Sequence, residues 1–440
     1  MLQQRHVVFI SRQRVVGKTN GSSAYLLDLA AAARRAAMIP ILVQPSPSLF
    51  GRVPVLRMRS EMDVFAQHRV RGALRIGRYL IAVSPAIWIA AVKGVAAKLA
   101  RRAGLRFAWL QDRKAPYSIS VPWIPADMSY TDRHTPDGSI VVADYIFQTK
   151  AFEVVREKAC ATATIMHDLF HRRAETVAAT GVVDSVTTVN KIDEIRMLGL
   201  ADLVIAIQQA EADFILQNLP DQSVLTVPMS FPIANEPQPG HDTKILFVGS
   251  NTEPNVAGLK WFFENCWPKI LDAVPNANLT VAGSVSSGMA GFPHPRAVEY
   301  LGIVDDLAPL YARAGVVISP LTFGSGLKVK LIEALALGKA MVATSVTLQG
   351  VETIAERAVF KTDHADDFAN AIVSLSSNKN LRFELGASAL AVAKEHFSAA
   401  VAHGSFAAWL FSKASPISPP YIVKGVTSGK IKFSHQERGS

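Results

Sequence analysis

The stretch "SPLTFGSGLKVKLIEALALGKAMVATSVTLQGVE", Ser319–Glu352, decides how the rest of the chain is read. It continues the run "GVVIS", Gly315–Ser319, an apolar strand of the kind that a parallel sheet buries on both faces. A glycine loop then opens the helix "LKVKLIEALALG", and a second apolar strand, "KAMVATS", follows it. Gly324 and Gly326 allow the backbone to approach a ligand closely. The helix N-terminus behind them offers unpaired N–H groups and a partial positive charge, which suit an anion. Lys328 and Lys330 fall in the first turn, where a cation opposes the helix dipole, so a diphosphate bound there would reverse an electrostatic penalty. Glu333, further along, is placed to accept hydrogen bonds from ribose hydroxyls. The plainer alternative is an i,i+3 surface pair between Lys330 and Glu333.

The same alternation extends in both directions. Upstream, "KILFVGS", "NANLTVAGS" and "VEYLGIV" read as strands, and "NVAGLKWFFENCWPKILDAV" as a helical stretch ending near Pro275. Downstream, "DDFANAIVSLSSN" and "LRFELGASALAVAKEHF" read as closing helices. "VPMSFPIANEPQPGHD", Val227–Asp242, holds four prolines that oppose both helix and central strand, and reads as a linker. Before it, "HVVFIS", "IPILVQ", "SIVVADYI", "ATATIMH" and "ADLVIAI" alternate with helical stretches such as "AYLLDLAAAARRAA". The expectation is an α/β chain of two doubly wound, Rossmann-like domains, 1–232 and 233–394, facing each other across a cleft. A helix within 395–414 packs back on the first domain, and 415–440, rich in Ser, Pro, Gly and Lys, forms a loose tail.

Composition narrows the partners. The net charge of +10 favours an anionic ligand or surface. From Val64 to Gln111 there is no Asp or Glu, while Arg69, Arg71, Arg75, Arg78, Lys93, Lys98, Arg101, Arg102 and Arg106 surround the apolar run "YLIAVSPAIWIAAV". That run is shorter than the roughly 20 residues a spanning helix needs. Residues 64–111 therefore suit the surface of an anionic membrane, or else a buried helix with a solvated basic end. The basic residues lack the interleaved aromatics of a single-strand binder, which argues against nucleic acid. The apolar run Val7–Ile10 is too short for a signal-peptide core. Two isolated cysteines, Cys160 and Cys266, favour a reducing compartment, and the expected location is cytoplasmic.

Two further loops carry polar groups to strand ends. "RVVGKTNGSS", Arg14–Ser23, contains Gly-Lys-Thr but has Arg12 where a nucleotide-binding P-loop needs its first glycine. Gly17, Gly21 and Ser22 then belong to a strand-end loop at the cleft, with Ser22 or Ser23 equally suited to capping the next helix. In "ATATIMHDLFHRR", His167 and Asp168 follow a strand and face the cleft, where a histidine donates to a sugar hydroxyl or phosphate. A pair that caps the following helix is the alternative. His171, Arg172 and Arg173 add positive charge at the mouth.

The Ser319–Glu352 segment resembles the donor-binding signature of GT-B glycosyltransferases of the retaining family-4 type (glycosyl transferases group 1), whose relevant branch reads roughly PLxxGxGxKxKxxEAxxxGxxVVAT. "ILFVGSNTEPNVAGLKWFFENCWPKILDAVPNANLTVAGS" and "VEYLGIVDDLAPLYARAGVVISPL" are similar to that branch as well. The resemblance implies that Gly249, Ser250, Gly324, Ser325, Gly326, Lys328 and Lys330 surround the donor diphosphate. It also implies that Gly302, Ile303 and Val304 flank the base, that Glu333 holds the ribose and that the loop of Gly17, Gly21 and Ser22 receives the acceptor. One position departs: Ser325 stands eight places before Glu333, where the family's wider pattern has a Glu that contacts the donor sugar.

The reading that results is a hexosyltransferase. It moves a sugar from a UDP- or GDP-linked donor to a lipid-linked or polysaccharide acceptor, at the inner face of the cell membrane. His167, Asp168 and Lys328 are its catalytic candidates. No Asp-x-Asp pair occurs, so no metal and no other cofactor is expected, and lysine with backbone donors neutralises the leaving group. A nucleotide-sugar epimerase and a non-catalytic binder of anionic polymer are the alternatives.

Overall fold

In a computed structural model, which describes residues 5–105, 107–111, 118–172, 189–324 and 327–414, the apolar runs assemble into two separate parallel sheets. The first contains β1 (His6–Ile10), β2 (Ile39–Gln44), β4 (Gln67–Val70), β7 (Ile140–Asp144), β8 (Ala161–Met166), β9 (Leu203–Ala206) and β10 (Val224–Thr226). Their order is β10-β9-β8-β7-β1-β2-β4, which puts the largely buried β1 between β7 and β2. The second contains β11 (His241–Val248), β12 (Asn278–Ala282), β13 (Val298–Gly302), β14 (Ala314–Ser319), β15 (Met341–Ala343) and β16 (Phe360–Lys361), in the order β13-β12-β11-β14-β15-β16. In each sheet the chain starts near the middle and winds both ways, so a crevice opens at the carboxyl ends where the winding reverses.

Three features depart from the sequence reading. A small antiparallel sheet of β3 (Val55–Arg57), β5 (Ala73–Ile76) and β6 (Tyr79–Ala82) interrupts the first domain. Its β5–β6 hairpin turns at Gly77-Arg78, with Gly77 at φ +56, the left-handed conformation that a tight hairpin asks for. The apolar run Tyr79–Val92 is therefore split. Its first part is β6, and Pro85 starts a new helix, Pro85–Arg102, at a first-turn position that needs no N–H. The stretch before Pro275 is likewise two helices, Glu253–Asn265 and Trp267–Ala273, because Pro268 removes a helical donor and opens the second one. The helix Gly21–Arg35 is capped by Asn20, whose side chain accepts from Ser23 N while Ser23 Oγ accepts from Asn20 N, so Ser22 takes no part in the cap.

After the second sheet the helix Gly404–Ala414 lies on the Gly21–Arg35 helix of the first domain. Phe406 and Leu410 are fully buried there and join the core of Tyr25, Leu26 and Leu29. The 415–440 tail lies outside the described residues. Replacing a fully buried phenylalanine by alanine costs about 3–5 kcal/mol. Phe406→Ala is therefore expected to lower the urea midpoint of the first domain, measured by tryptophan fluorescence. An unchanged midpoint would show that this helix is not part of that core.

Candidate active site

The first domain brings a buried polar cluster to the carboxyl ends of its central strands. β7 ends in Asp144, fully buried, and β8 runs out into His167. His167 Nε2 donates to Asp144 Oδ1 at 2.7 Å. Ser11 Oγ and Gln13 Nε2, on the loop after β1, donate to Oδ2 of the same carboxylate. This arrangement fixes the ring: Nε2 carries the proton and donates it as a hydrogen bond to Asp144, and Nδ1 is the nitrogen left to serve a ligand. Tyr145 lies against the imidazole with ring centroids 4.0 Å apart, and Tyr25 meets it edge-on at 5.7 Å. Tyr145 has φ +76, a strained conformation for a bulky residue, and it sits directly beside His167.

Asp168 does not pair with His167. It accepts from Leu169 N at 2.9 Å, and its charge is felt at Lys328 of the second domain. His171 is buried and its Nδ1 is 2.6 Å from Glu194, which also accepts from Phe170 N and His171 N, so this histidine is tied into the interior and does not stand at the mouth. Arg172 lies over the Phe214 ring at 5.7 Å, and Arg173 is outside the described residues.

On the second domain, Lys328 is the residue that opens the helix Val329–Ala336. Burial lowers its ammonium to about 8, against the opposing pull of Asp168 and Glu352. Gly324 takes φ +139, a backbone turn that favours glycine, just before it. Ser325 and Gly326 lie outside the described residues. Glu333 Oε2 accepts from Tyr311 OH at 2.9 Å and from Lys330 Nζ at 2.7 Å, so the i,i+3 pair is present. Gly249 follows β11, where a Cβ would come within 2.7 Å of the Phe247 ring. Ser250 beside it is exposed, its backbone carbonyl accepting from Asn255 Nδ2 at 3.0 Å. At the end of β13, Gly302 has φ +68, Ile303 is 78 % exposed and Val304 is half-buried. A large apolar side chain held this far into solvent at a strand end is suited to stacking on a planar ligand.

The two halves meet at the cleft. A Cβ on Gly21 would stand 3.2 Å from Val329 Cγ2, and Leu327 and Val329 pack against the first domain's core. Gly17, at φ +142, lies against the Arg59 side chain. Lys18 pairs with Asp28 at 2.9 Å, and Arg12, which stands where a P-loop needs its first glycine, is buried in an ion pair with Asp127. At Gly21 the loop thus lies against the Val329–Ala336 helix, the one that Lys328 opens, while Gly17 stays against its own domain. The groups of this candidate site that the sequence reading did not single out are Asp144, Tyr145 and Glu211. Asp144 ends a strand, "SIVVAD", that was legible, and an acid closing an all-apolar run is the signal that marks it.

With this geometry in view, residues 242–378 match the family described as glycosyl transferases group 1. An "uncharacterized 44.6 kDa protein in cps region" of Klebsiella pneumoniae is 25% identical over 182 residues, which are 39% of this chain and 47% of that protein. The match thus spans about half the length of that curated relative. A mutant of S. aureus TarM, solved with fondaparinux, alpha-GlcNAc-glycerol and UDP, superposes with a TM-score of 0.64 at 12% identity, over 93% of this chain and 100% of that one. Anabaena Alr3699/HepE, solved with UDP and glucose, gives 0.53 at 15% identity over 92% and 99%. Sucrose-phosphate synthase of Thermosynechococcus elongatus gives 0.56 at 15% identity over 93% and 100%. The architecture is the GT-B fold, and its second domain is a group 1 glycosyltransferase domain.

Glu211 gives this cleft a pH signature. It is buried behind β9, accepting from Ile207 N at 2.9 Å and from Gln208 Nε2 at 3.1 Å. Burial pushes its carboxyl up to about 7, with Asp168 adding to the rise and the two hydrogen bonds opposing it. Between the ordinary carboxyl value and about 7 the unfolded chain ionises while the folded one keeps its proton, so stability falls as pH rises through that window. The loss is on the order of 3 kcal/mol, at 1.36 kcal/mol per pH unit across that window. Glu211→Gln is expected to gain melting temperature relative to wild type from about pH 4.5 to 7 and to run parallel above it. Parallel curves throughout would contradict this assignment.

Proposed function

We propose that the chain transfers a sugar from a UDP- or GDP-linked donor to a lipid-linked or polysaccharide acceptor, with retention at the anomeric carbon and without a metal. The observation that carries this reading is the placement of Lys328, desolvated at a helix start, across the cleft from Asp168 and the His167–Asp144 pair. A bound diphosphate restores full charge to an ammonium that burial has weakened, so binding and charge neutralisation are one event. Gly249, Ser250, Gly324, Ser325 and Gly326 offer backbone to the diphosphate. Glu333, oriented by Tyr311 and Lys330, takes the ribose, and Ile303 with Gly302 and Val304 flanks the base. His167 serves the donor sugar or its phosphate through Nδ1. The acceptor enters over Gly17, Gly21 and Ser22. Its hydroxyl oxygen forms a bond to the anomeric carbon on the side from which the diphosphate leaves. The carbon–diphosphate bond breaks, and the hydroxyl proton passes to the departing phosphate oxygen. The UDP complexes of the structural neighbours support the donor class.

The basic, acid-free region supports a membrane-borne acceptor. On the Pro85–Arg102 helix, Ile87, Ala90 and Ala97 face the core, while Trp88, Ile89, Val92, Val95 and Leu99 are 41–65 % exposed on the other side. A helix apolar on both sides has a second surface to cover. Lys93, Lys98 and Arg102 around the outer stripe suit an anionic bilayer at the inner face of the cell membrane. No helix among the described residues is long and apolar enough to cross a membrane.

A thermal-shift panel of nucleoside diphosphates and sugar nucleotides tests the donor site. UDP or GDP is expected to stabilise the wild type. Lys328→Ala is expected to abolish that shift and to lower transfer about 10²–10³-fold, the scale of losing one preorganised charge-stabilising group. A flat panel favours the polymer-binder reading. For the surface, the double variant Trp88→Ser/Val92→Ser is expected to lose co-sedimentation with phosphatidylglycerol vesicles while keeping the nucleotide shift. Undiminished sedimentation would place the membrane contact elsewhere.

A further inference from the structure

A second cavity lies away from the cleft, on the outer edge of the first sheet. It has a volume of about 420 Å³ and is bounded by the edge strand β4, by the small sheet and by the end of the helix Pro125–Arg133. Its polar lining is His68, Arg69, Arg75, Tyr130 and His134, with Gln67 at the rim and no carboxylate among them. The nearby acids are committed elsewhere: Asp127 to Arg12 and Arg71, Asp132 to Lys158, and Asp63 to Arg78.

Two features of this lining need a ligand to explain them. Arg75 pairs across the hairpin with Leu80, so both stand on the face of the small sheet that turns inward, where Leu80 is buried. The only hydrogen bond its guanidinium makes among the described residues is one of 3.3 Å from Nε to Gly77 O. Arg69 lines the same cavity, its Nε and Nη2 donating to Gln67 Oε1 at 3.2 and 3.0 Å, and Asp63, an acid that feels the charge of Arg75, is paired with Arg78 outside the lining. Two arginines on one cavity whose lining holds no carboxylate favour an anion there. The other feature is His68. Gln44 Nε2 donates to Gln13 O at 2.6 Å, which turns Gln44 Oε1 toward His68 Nε2 at 2.7 Å. The ring must therefore donate from Nε2. Burial and the charge of Arg75 lower its proton affinity to about 3, so it is neutral. Nδ1 is then a bare acceptor, and it has no hydrogen-bond partner. It calls for a hydroxyl donor. Tyr130 and His134, whose rings lie 4.1 Å apart, add a flat wall of the kind that packs against a sugar or glycerol backbone.

We infer that this cavity binds a phosphorylated polyol, its phosphate between Arg69 and Arg75 and its hydroxyls toward His68 and Tyr130. The volume is in the range of small-molecule sites. The phosphate has two possible sources, a phosphoglycerol lipid headgroup or a soluble phosphorylated glycan, and the site does not depend on the transferase reading.

The test uses the full chain. sn-Glycerol 3-phosphate is titrated by calorimetry, and phosphatidylglycerol and phosphatidylcholine vesicles by co-sedimentation. Glycerol 3-phosphate is expected to bind the wild type and to bind at least tenfold more weakly to Arg69→Gln and Arg75→Gln, with Lys328→Ala unaffected. His68→Phe, which keeps the ring and removes the acceptor, is expected to weaken binding several-fold. A UDP thermal shift retained in these variants shows that they are folded and that the donor site is separate. Loss of phosphatidylglycerol binding in the arginine variants assigns the headgroup as source, and retained vesicle binding assigns the soluble glycan. No binding of glycerol 3-phosphate, binding insensitive to both arginines, or binding lost in Lys328→Ala overturns the proposal.

Discussion

The first domain depends on one carboxylate. Asp144 is fully out of solvent, and burying a lone carboxylate costs several kcal/mol unless donors replace the lost water. The donors are Ser11, Gln13 and His167, which come from the ends of β1 and β8, the strands on either side of the one Asp144 ends. Three strand ends are thereby tied at one point. The loops that leave them, one toward the Gly21–Arg35 helix and one toward Asp168, inherit fixed starting directions. The strained backbone at Tyr145 fits the same account. That residue must turn at once after Asp144 to lay its ring on His167, and the buried network holds it in the strained conformation.

The cleft adds a second constraint, which is steric. Gly21 and Gly350 sit where the two domains touch, and a side chain at Gly350 would collide with Gln208, its Cβ only 2.1 Å from Oε1. At Gly21 the bare backbone leaves room for Val329 of the Val329–Ala336 helix, the helix that Lys328 opens. The ion pair between Arg59 and Asp305, at 3.5 Å and exposed on both sides, contributes little to that closeness. Shape brings the domains together, and the buried charges then determine what the space between them accepts.

The second domain was the legible half. Its strands are short apolar runs separated by glycine loops, and the donor helix carries a pattern in which residue type and spacing both point to a diphosphate. The first domain was harder to read for a physical reason. Its polar cluster is assembled from Ser11, Gln13, Asp144 and His167, which are far apart in sequence and meet only because β1, β7 and β8 are neighbours. Strand order is not written in local periodicity. The small antiparallel sheet was invisible for a related reason: β3, β5 and β6 are three or four residues long, too short for alternation to register. Pro85 and Pro268 were visible, and both act as helix starts, which is the role that a missing N–H allows.

The acid-free region gains its meaning from how it folds. As sequence it is one basic, apolar block; in the structure it becomes two surfaces with different chemistry. The outer stripe of the Pro85–Arg102 helix and the outward face of the hairpin, with Leu74, Ile76 and Tyr79, are apolar and exposed. The inward side of the same hairpin carries Arg75 into a polar cavity. A surface that served only to attract an anionic bilayer would set its arginines outward, where long-range attraction is strongest. Arg75 is turned the other way, into a cavity whose other polar walls are histidine, tyrosine, glutamine and a second arginine. That orientation is wasted on general attraction and suited to holding one phosphate in one place.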